Sequence, residues 1–190
     1  RNELRRATLG GKIYEPSWGD GNVSTDWAAA AKRAGDAILA IDSTALIVVD
    51  GLDYSTNLRD VKDYPVNLTL PHRLVYSAHD YSWSQPFKDC GTLQKQLDQQ
   101  WGYITTSAPV WVSEFGTWHD GRDLNSSYWQ CWTSFLRNRK LDFGYWRVDG
   151  TESRGSGRTF GAEAGFGIFD ETWTAPAKNG VLLESLQTLM

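Results

Sequence analysis

Basic charge is in short supply in this chain. Its 190 residues carry 19 Lys and Arg against 23 Asp and Glu, a formal net charge of −4. No cationic surface is left to neutralise a phosphate backbone or an anionic bilayer, which argues against nucleic acid as a partner. Long apolar runs are missing as well. The longest aliphatic stretch, Ala45-Leu46-Ile47-Val48-Val49, falls far short of the ~18 residues that suggest a membrane span. No Gly-rich phosphate loop follows a strand-like segment, since Gly165-Phe166-Gly167 lacks the flanking strand and helix. His72, His79 and His119, taken with Asp80 and Asp120, contain no pair at ligand spacing backed by a third ligand. Neither a metal nor an organic cofactor is expected. Cysteine is scarce: Cys90 and Cys131 allow one disulfide and fit no metal motif. The first residue is Arg1, with no leader-like segment ahead of the folded sequence, so the expectation is either that a leader and more were removed or that this is a piece of a longer chain.

Aromatic residues are abundant, with ten Trp, eight Tyr and seven Phe. Trp18, Trp83 and Trp118 stand beside polar loop residues, as aromatics do when they grip the apolar faces of sugars, although loop packing is an equal reading of each. Sequons at Asn22, Asn67 and Asn125 and an even cysteine count tilt towards a secreted, extracellular glycoprotein.

Four short segments read as buried strands: Ala45 to Asp50, Arg73 to His79, Pro109 to Glu114 and Asp142 to Arg147. They recur at intervals of about 30 residues, the length of a βαβ unit. Helical patterns lie between most of them. The first runs from Asp26 to Ile41, with a stripe of Trp27, Ala30, Ala34, Ile38 and Ile41 behind a Ser24-Thr25 cap. The second, from Thr92, carries Leu93, Leu97 and Trp101; the third follows Ser126-Ser127 and carries Tyr128, Trp132 and Phe135; a fourth spans Val181 to Leu189. Gly51 to His72 is ambiguous, and Asp149 to Gly167 reads as a long loop. The class is α/β with a parallel sheet, a β/α barrel is favoured over a doubly wound sheet, and one domain, residues 1–190, suffices. The length is nonetheless short of the ~250 residues of a complete eight-fold barrel.

In parallel β/α folds, functional groups collect at the carboxyl ends of strands. The chain opens with Asn2-Glu3, and its strands end in Val49-Asp50-Gly51, His79-Asp80-Tyr81, Ser113-Glu114-Phe115-Gly116 and Tyr145-Trp146. Two carboxylates on different strands, joined by His, Tyr, Asn and Trp, are the toolkit for cleaving a glycosidic bond. One acid protonates the departing oxygen. In a retaining mechanism the other attacks the anomeric carbon, from a carboxyl only ~5–5.5 Å away from the first.

Arg1-Asn2-Glu3, His79-Asp80-Tyr81, Ser113-Glu114-Phe115-Gly116 and Trp146, in this order, resemble glycoside hydrolase family 5, the cellulase-like retaining glycosidases. The resemblance covers the whole chain and implies a (β/α)8 barrel. It implies that Glu3 is the general acid/base at the end of the family's fourth strand and that Glu114, ending the seventh, is the nucleophile. Asn2 would hydrogen-bond the sugar 2-hydroxyl, His79 and Tyr81 on the sixth would bind sugar hydroxyls and orient the nucleophile, and Trp146 on the eighth would form the floor under the reacting sugar. Asp80 could be structural, and Asp50 is left outside the catalytic set. Cys90 and Cys131 would bridge the loop after the sixth strand to the helix after the seventh, with a free buried pair as the alternative. The family's Arg on the second strand and His on the third would lie upstream of Arg1, so the expectation is the C-terminal half or so of a barrel, its partner being the missing N-terminal half.

The function this implies is retaining hydrolysis of a β-linked polysaccharide by an endo-β-1,4-glucanase. Mannan, β-1,3-glucan and other β-glycosides are alternative substrates, and a non-catalytic carbohydrate-binding remnant is the alternative of another class.

Overall fold

Asp26 begins the first long helix. It is nearly completely buried, and its side chain accepts the backbone N–H of Ala29, satisfying one of the orphan donors that every helix start leaves. Helix α1 (Trp27–Leu39) follows. The cap is therefore Asp26 and not the Ser24-Thr25 pair expected from the sequence. The buried face is displaced by one residue from the expected stripe: Ala28, Ala31, Gly35 and Leu39 point inward, whereas Ile38 and Ile41 are exposed. The cause is close packing. A Cβ at Gly35 would meet Leu68 Cδ2 at 2.7 Å and Ile47 Cγ2 at 3.1 Å, so the face of smallest residues is the one that fits. Trp27 is held at the boundary by its indole N–H, which donates to the Asp50 carbonyl at 2.8 Å.

The computed structural model describes residues 3–84, 87–152 and 159–190. Two units separate by contact, residues 1–80 with 95–112 and residues 81–94 with 113–190. In the first unit a hairpin, β1 (Ala7–Leu9) and β2 (Lys12–Tyr14), turns at Gly10-Gly11, both with positive φ. That is the backbone a two-residue hairpin turn demands, and Gly-Gly between β-formers is its sequence signal. Strand β3 (Ile47–Asp50) pairs in parallel with β4 (Leu74–His79) in the register Ile47↔Leu74 to Asp50↔Ser77. The N-terminal half of β5 (Val110–Phe115) belongs to the same unit, and Tyr76 N–H donates to Pro109 O beside it at 3.0 Å.

From Tyr76 to His79, β4 is buried on both faces, as expected. Strands β3 and β5 instead alternate, with Val48 and Trp111 exposed. Continuous apolar sequence is required for two-sided burial but does not ensure it. The ambiguous segment after β3 forms a single turn at Leu52–Ser55 and a 3-10 turn at Arg59–Lys62. It buries Leu58, Val61 and Val66 without further regular structure. Helix α2 (Cys90–Gln100) supplies Leu97, which with Trp101 and Ile104 is almost wholly buried.

In the second unit, α3 (Ser127–Arg139) is capped by Ser126, whose hydroxyl accepts Trp129 N–H, and is stopped by left-handed Lys140. It packs against the end of β5. Phe115 stands at the centre, its ring centroid 5.6–5.9 Å from those of Trp129, Trp132, Phe143 and Tyr145, a cluster that absorbs part of the Trp content. Strand β6 (Asp142–Tyr145) is the neighbour of β5, and α4 (Val181–Gln187) adds Leu182 and Leu186 to the core. Cys90 and Cys131 form a disulfide with Cα atoms 5.1 Å apart. No described helix is long and apolar enough to cross a membrane.

Candidate active site

Strand ends present the polar residues, each through its own local structure. In the first unit His79 closes β4, almost wholly buried. Its Nδ1 lies 3.4 Å from Glu3 Oε1, and Arg5 Nη1 lies 3.3 Å from Glu3 Oε2. The Glu3 carboxylate thus has a basic group at each oxygen. The Glu3 side chain is partly exposed. Asn2 lies outside the described residues.

In the second unit Tyr81 donates its phenol hydroxyl to Glu114 Oε1 at 2.9 Å. Glu114 is the penultimate residue of β5, where the burial pattern has just changed from buried Val112 to half-buried Ser113 and Glu114. Phe115 then anchors the strand in the aromatic core, and Gly116 comes next because the chain has no room for a side chain. A Cβ at Gly116 would meet the Trp146 carbonyl oxygen at 2.3 Å. The Ser-Glu-Phe-Gly run thus carries a half-buried acid, a buried anchor and a close backbone approach. Trp146 N–H donates to Phe115 O at 2.7 Å, which holds Trp146 beside the end of β5. Trp146 is 37% exposed. The Trp146–Arg147 peptide is cis, and Arg147 is fixed by ion pairs to Asp149 and to Glu152, the latter at 2.7 Å.

Around Tyr81 the second unit displays an aromatic surface. A tight turn, with Ser84 N–H donating to Tyr81 O and Tyr81 N–H to Ser84 Oγ, stacks Trp83 on Tyr81 at 4.5 Å and 15°. Phe166 lies 6.0 Å from Trp83, and Trp118 lies edge-on to Phe166 at 5.2 Å. Arg122, paired with Asp120, covers the Trp118 ring at 4.5 Å. This ion pair draws the Asp120 carboxyl down to about 2, chiefly through its hydrogen bond from Arg122. Trp83 is two-thirds exposed and Trp118 is 40% exposed. Phe166, in a stretch whose sequence carries no motif, is the member that sequence reasoning did not find. Trp18 is no platform: it is buried in the first unit, and its indole donates to Tyr64 O at 2.9 Å. Asn22, Asn67 and Asn125 are all exposed.

Residues 2–152 match the sequence profile described as Cellulase (glycosyl hydrolase family 5). The chain belongs to glycosyl hydrolase family 5. It is similar to an endoglucanase of Paenibacillus polymyxa, 39% identical over an alignment of 160 residues that covers 71% of this chain and 39% of the relative. A glycosyl hydrolase 5 family protein of Chamaecyparis obtusa is 26% identical over 190 residues, covering 92% of this chain and 32% of the relative. Among solved structures, an endocellulase from Pyrococcus horikoshii in complex with cellotetraose superposes with a TM-score of 0.74 at 30% identity, over 96% of this chain and 52% of that one. The catalytic domain of the major endoglucanase from Xanthomonas campestris, 23% identical with a TM-score of 0.74 over 92% of this chain and 53% of its own, shows the shared fold. The chain thus spans about half the length of these family 5 structures and less of the curated relatives. Its α/β fold is part of the family's β/α barrel.

Proposed function

We propose that this chain contributes both catalytic carboxylates to a retaining glycoside hydrolase, an endo-β-1,4-glucanase acting on a β-linked glucan. The observation that carries the reading is that each carboxylate has its own partner from the end of β4 or just past it: His79 faces Glu3 and Tyr81 donates to Glu114. Membership of the family and the cellotetraose held by the Pyrococcus horikoshii endocellulase support the substrate class.

Glu114 attacks the anomeric carbon as a carboxylate. The Tyr81 hydroxyl donates to one of the Glu114 oxygens and orients the carboxylate. Glu3 gives its proton to the departing glycosidic oxygen, then takes one from the water that releases the sugar from Glu114. His79 and Arg5 hold the carboxyl plane of Glu3 through both steps. Asn2 hydrogen-bonds the 2-hydroxyl, where a contact that strengthens in the transition state lowers the barrier. Trp146 is the floor of the reacting sugar, and Trp83 and Trp118 offer further faces on which pyranose rings stack. Exposure of the three sequon asparagines accords with a secreted glycoprotein working outside the cell on an insoluble polymer.

Treating the full-length protein with a 2-fluoro cellobioside bearing a good leaving group traps the glycosyl-enzyme, because fluorine destabilises the second transition state. Peptide mass spectrometry is expected to find the adduct on Glu114, and Glu114→Gln to remove both adduct and turnover while cellotetraose still binds. An adduct elsewhere refutes the assignment. Unaltered turnover by Glu114→Gln refutes it as well.

A further inference from the structure

Directly after β3 the backbone does something costly. Asp53, Tyr54 and Ser55 occupy the left-handed region in succession, with φ of 51°, 60° and 63°. For L-residues this region crowds Cβ against the carbonyl, and a bulky Tyr there is an outlier. The turn is held by several bonds at once. Leu52 and Asn57 exchange backbone hydrogen bonds of 2.9 and 3.1 Å, Thr56 Oγ1 donates to Asp53 O at 2.7 Å and Asn57 Nδ2 donates to Asp53 Oδ2 at 3.0 Å. Gly51 permits the closure, since a Cβ there would lie 2.8 Å from Asn57 O. Ser55 is wholly buried beneath it.

The turn buries Leu52 and Ser55, yet the ring it carries between them, Tyr54, is half exposed. Strain maintained in this way beside a reactive group points to a role. Tyr54 N–H donates to Leu4 O at 3.2 Å, which ties the turn to the segment carrying Glu3. The Arg5 guanidinium lies over the Tyr54 ring, 4.6 Å from its centroid. The same guanidinium reaches Glu3 Oε2 at 3.3 Å, while buried His79 faces Glu3 Oε1 at 3.4 Å. An ion pair this exposed contributes little to stability. Its effect is orientation: a guanidinium parked on an aromatic face has fewer conformations to lose when it fixes a carboxylate.

We propose that Arg5 is a positioning residue for Glu3, held in place by the Tyr54 ring that the left-handed turn presents. The proposal rests on the acid/base role given to Glu3 above. Arg5 fixes the carboxyl plane from the side opposite His79, so that the proton of Glu3 is aimed at the leaving oxygen.

Leaving-group dependence separates this from a merely structural role. In the full-length protein, kcat/KM for phenyl β-cellobioside requires protonation of a poor leaving group, whereas that for 2,4-dinitrophenyl β-cellobioside does not. Arg5→Met is expected to lower the first about tenfold and the second less than about twofold, with the melting temperature unchanged. Tyr54→Leu is expected to reproduce that pattern in weaker form. Tyr54→Phe keeps the ring and should recover most of the loss, whereas Arg5→Lys keeps the charge but not the planar, ring-stacked guanidinium and should recover only a minor part. Equal effects on both substrates, or none, for Arg5→Met overturn the proposal. Glu3→Gln assigns the failure: selective loss on the phenyl glycoside with Glu3→Gln but not with Arg5→Met removes the clamp and leaves the acid/base reading standing. Equal loss on both with Glu3→Gln, or no hydrolysis of either cellobioside by the unaltered protein, removes the acid/base reading and the clamp with it.

Discussion

Replacing Asp26 by Ala tests whether one buried carboxylate organises the entry to α1. Its Oδ1 accepts the N–H groups of Ala29 and Gly19 at 3.1 and 3.0 Å, and its Oδ2 accepts Gly21 N–H at 2.9 Å. Loss of the helix cap costs about 1 kcal/mol. The two loop donors add up to about 1 kcal/mol each, less for Gly21, which stands at the surface where water replaces the lost acceptor. The total is about 2–3 kcal/mol at neutral pH, measured as a shift in the urea midpoint followed by the fluorescence of nearby Trp18 and Trp27. The pH dependence has a definite sign. Burial by itself raises the Asp26 carboxyl, but the N–H groups of Ala29, Gly19, Gly21 and Ala28 outweigh it and hold the group below its ordinary value of 3.8. A carboxyl whose folded pKa is depressed contributes stability that is complete above the unfolded value and is lost as pH falls through the folded one. The difference between the unaltered protein and Asp26→Ala should therefore be full above about pH 5 and shrink as pH falls below the carboxyl's ordinary value. A cost below about 0.5 kcal/mol, the ordinary range of an uninvolved surface site, or a cost independent of pH over that range, refutes the argument.

Two further outcomes rest on packing and covalent structure. Leu39→Ala removes a buried side chain from α1 and should cost about 2–4 kcal/mol, whereas Ile41→Ala, at an exposed position, should stay within about 0.5 kcal/mol; thermal melts of the pair decide whether the inward face is the one described. Cys90→Ser with Cys131→Ser opens a loop with a sequence separation of 41 and should lower stability by about 4 kcal/mol on the chain-entropy account, and alkylation before and after reduction, read by intact mass, should show both thiols protected only before reduction.

Much of the fold is legible in pattern. The four βα-strands can be read because apolar β-formers run continuously and then stop at polar residues, and α3 because Ser126 stands in front of an amphipathic repeat. The inward face of α1 cannot, because hydrophobicity ranks Ile38 and Ile41 above Ala28, Ala31 and Gly35. Packing against Ile47 and Leu68 ranks by fit, and there smallness wins. Trp18 illustrates the same limit: its polar neighbours suggest a surface platform, while its indole N–H finds a carbonyl inside the unit.

At the candidate site, local sequence is enough to name the polar groups. An acid at one strand end and a His-Asp-Tyr cluster at another are local facts, fixed by the few residues that terminate a buried strand, whereas the Gly116 backbone meets Trp146 only in the folded chain. Which of these groups meet is settled by the folded chain. That Tyr81 bonds Glu114 across 33 residues, that His79 meets Glu3 across 76, and that Arg5 rests on Tyr54 depend on strand register and on a left-handed turn. Neither leaves a periodic trace in sequence: the register joins segments far apart in the chain, and the turn is a single irregular closure between Leu52 and Asn57.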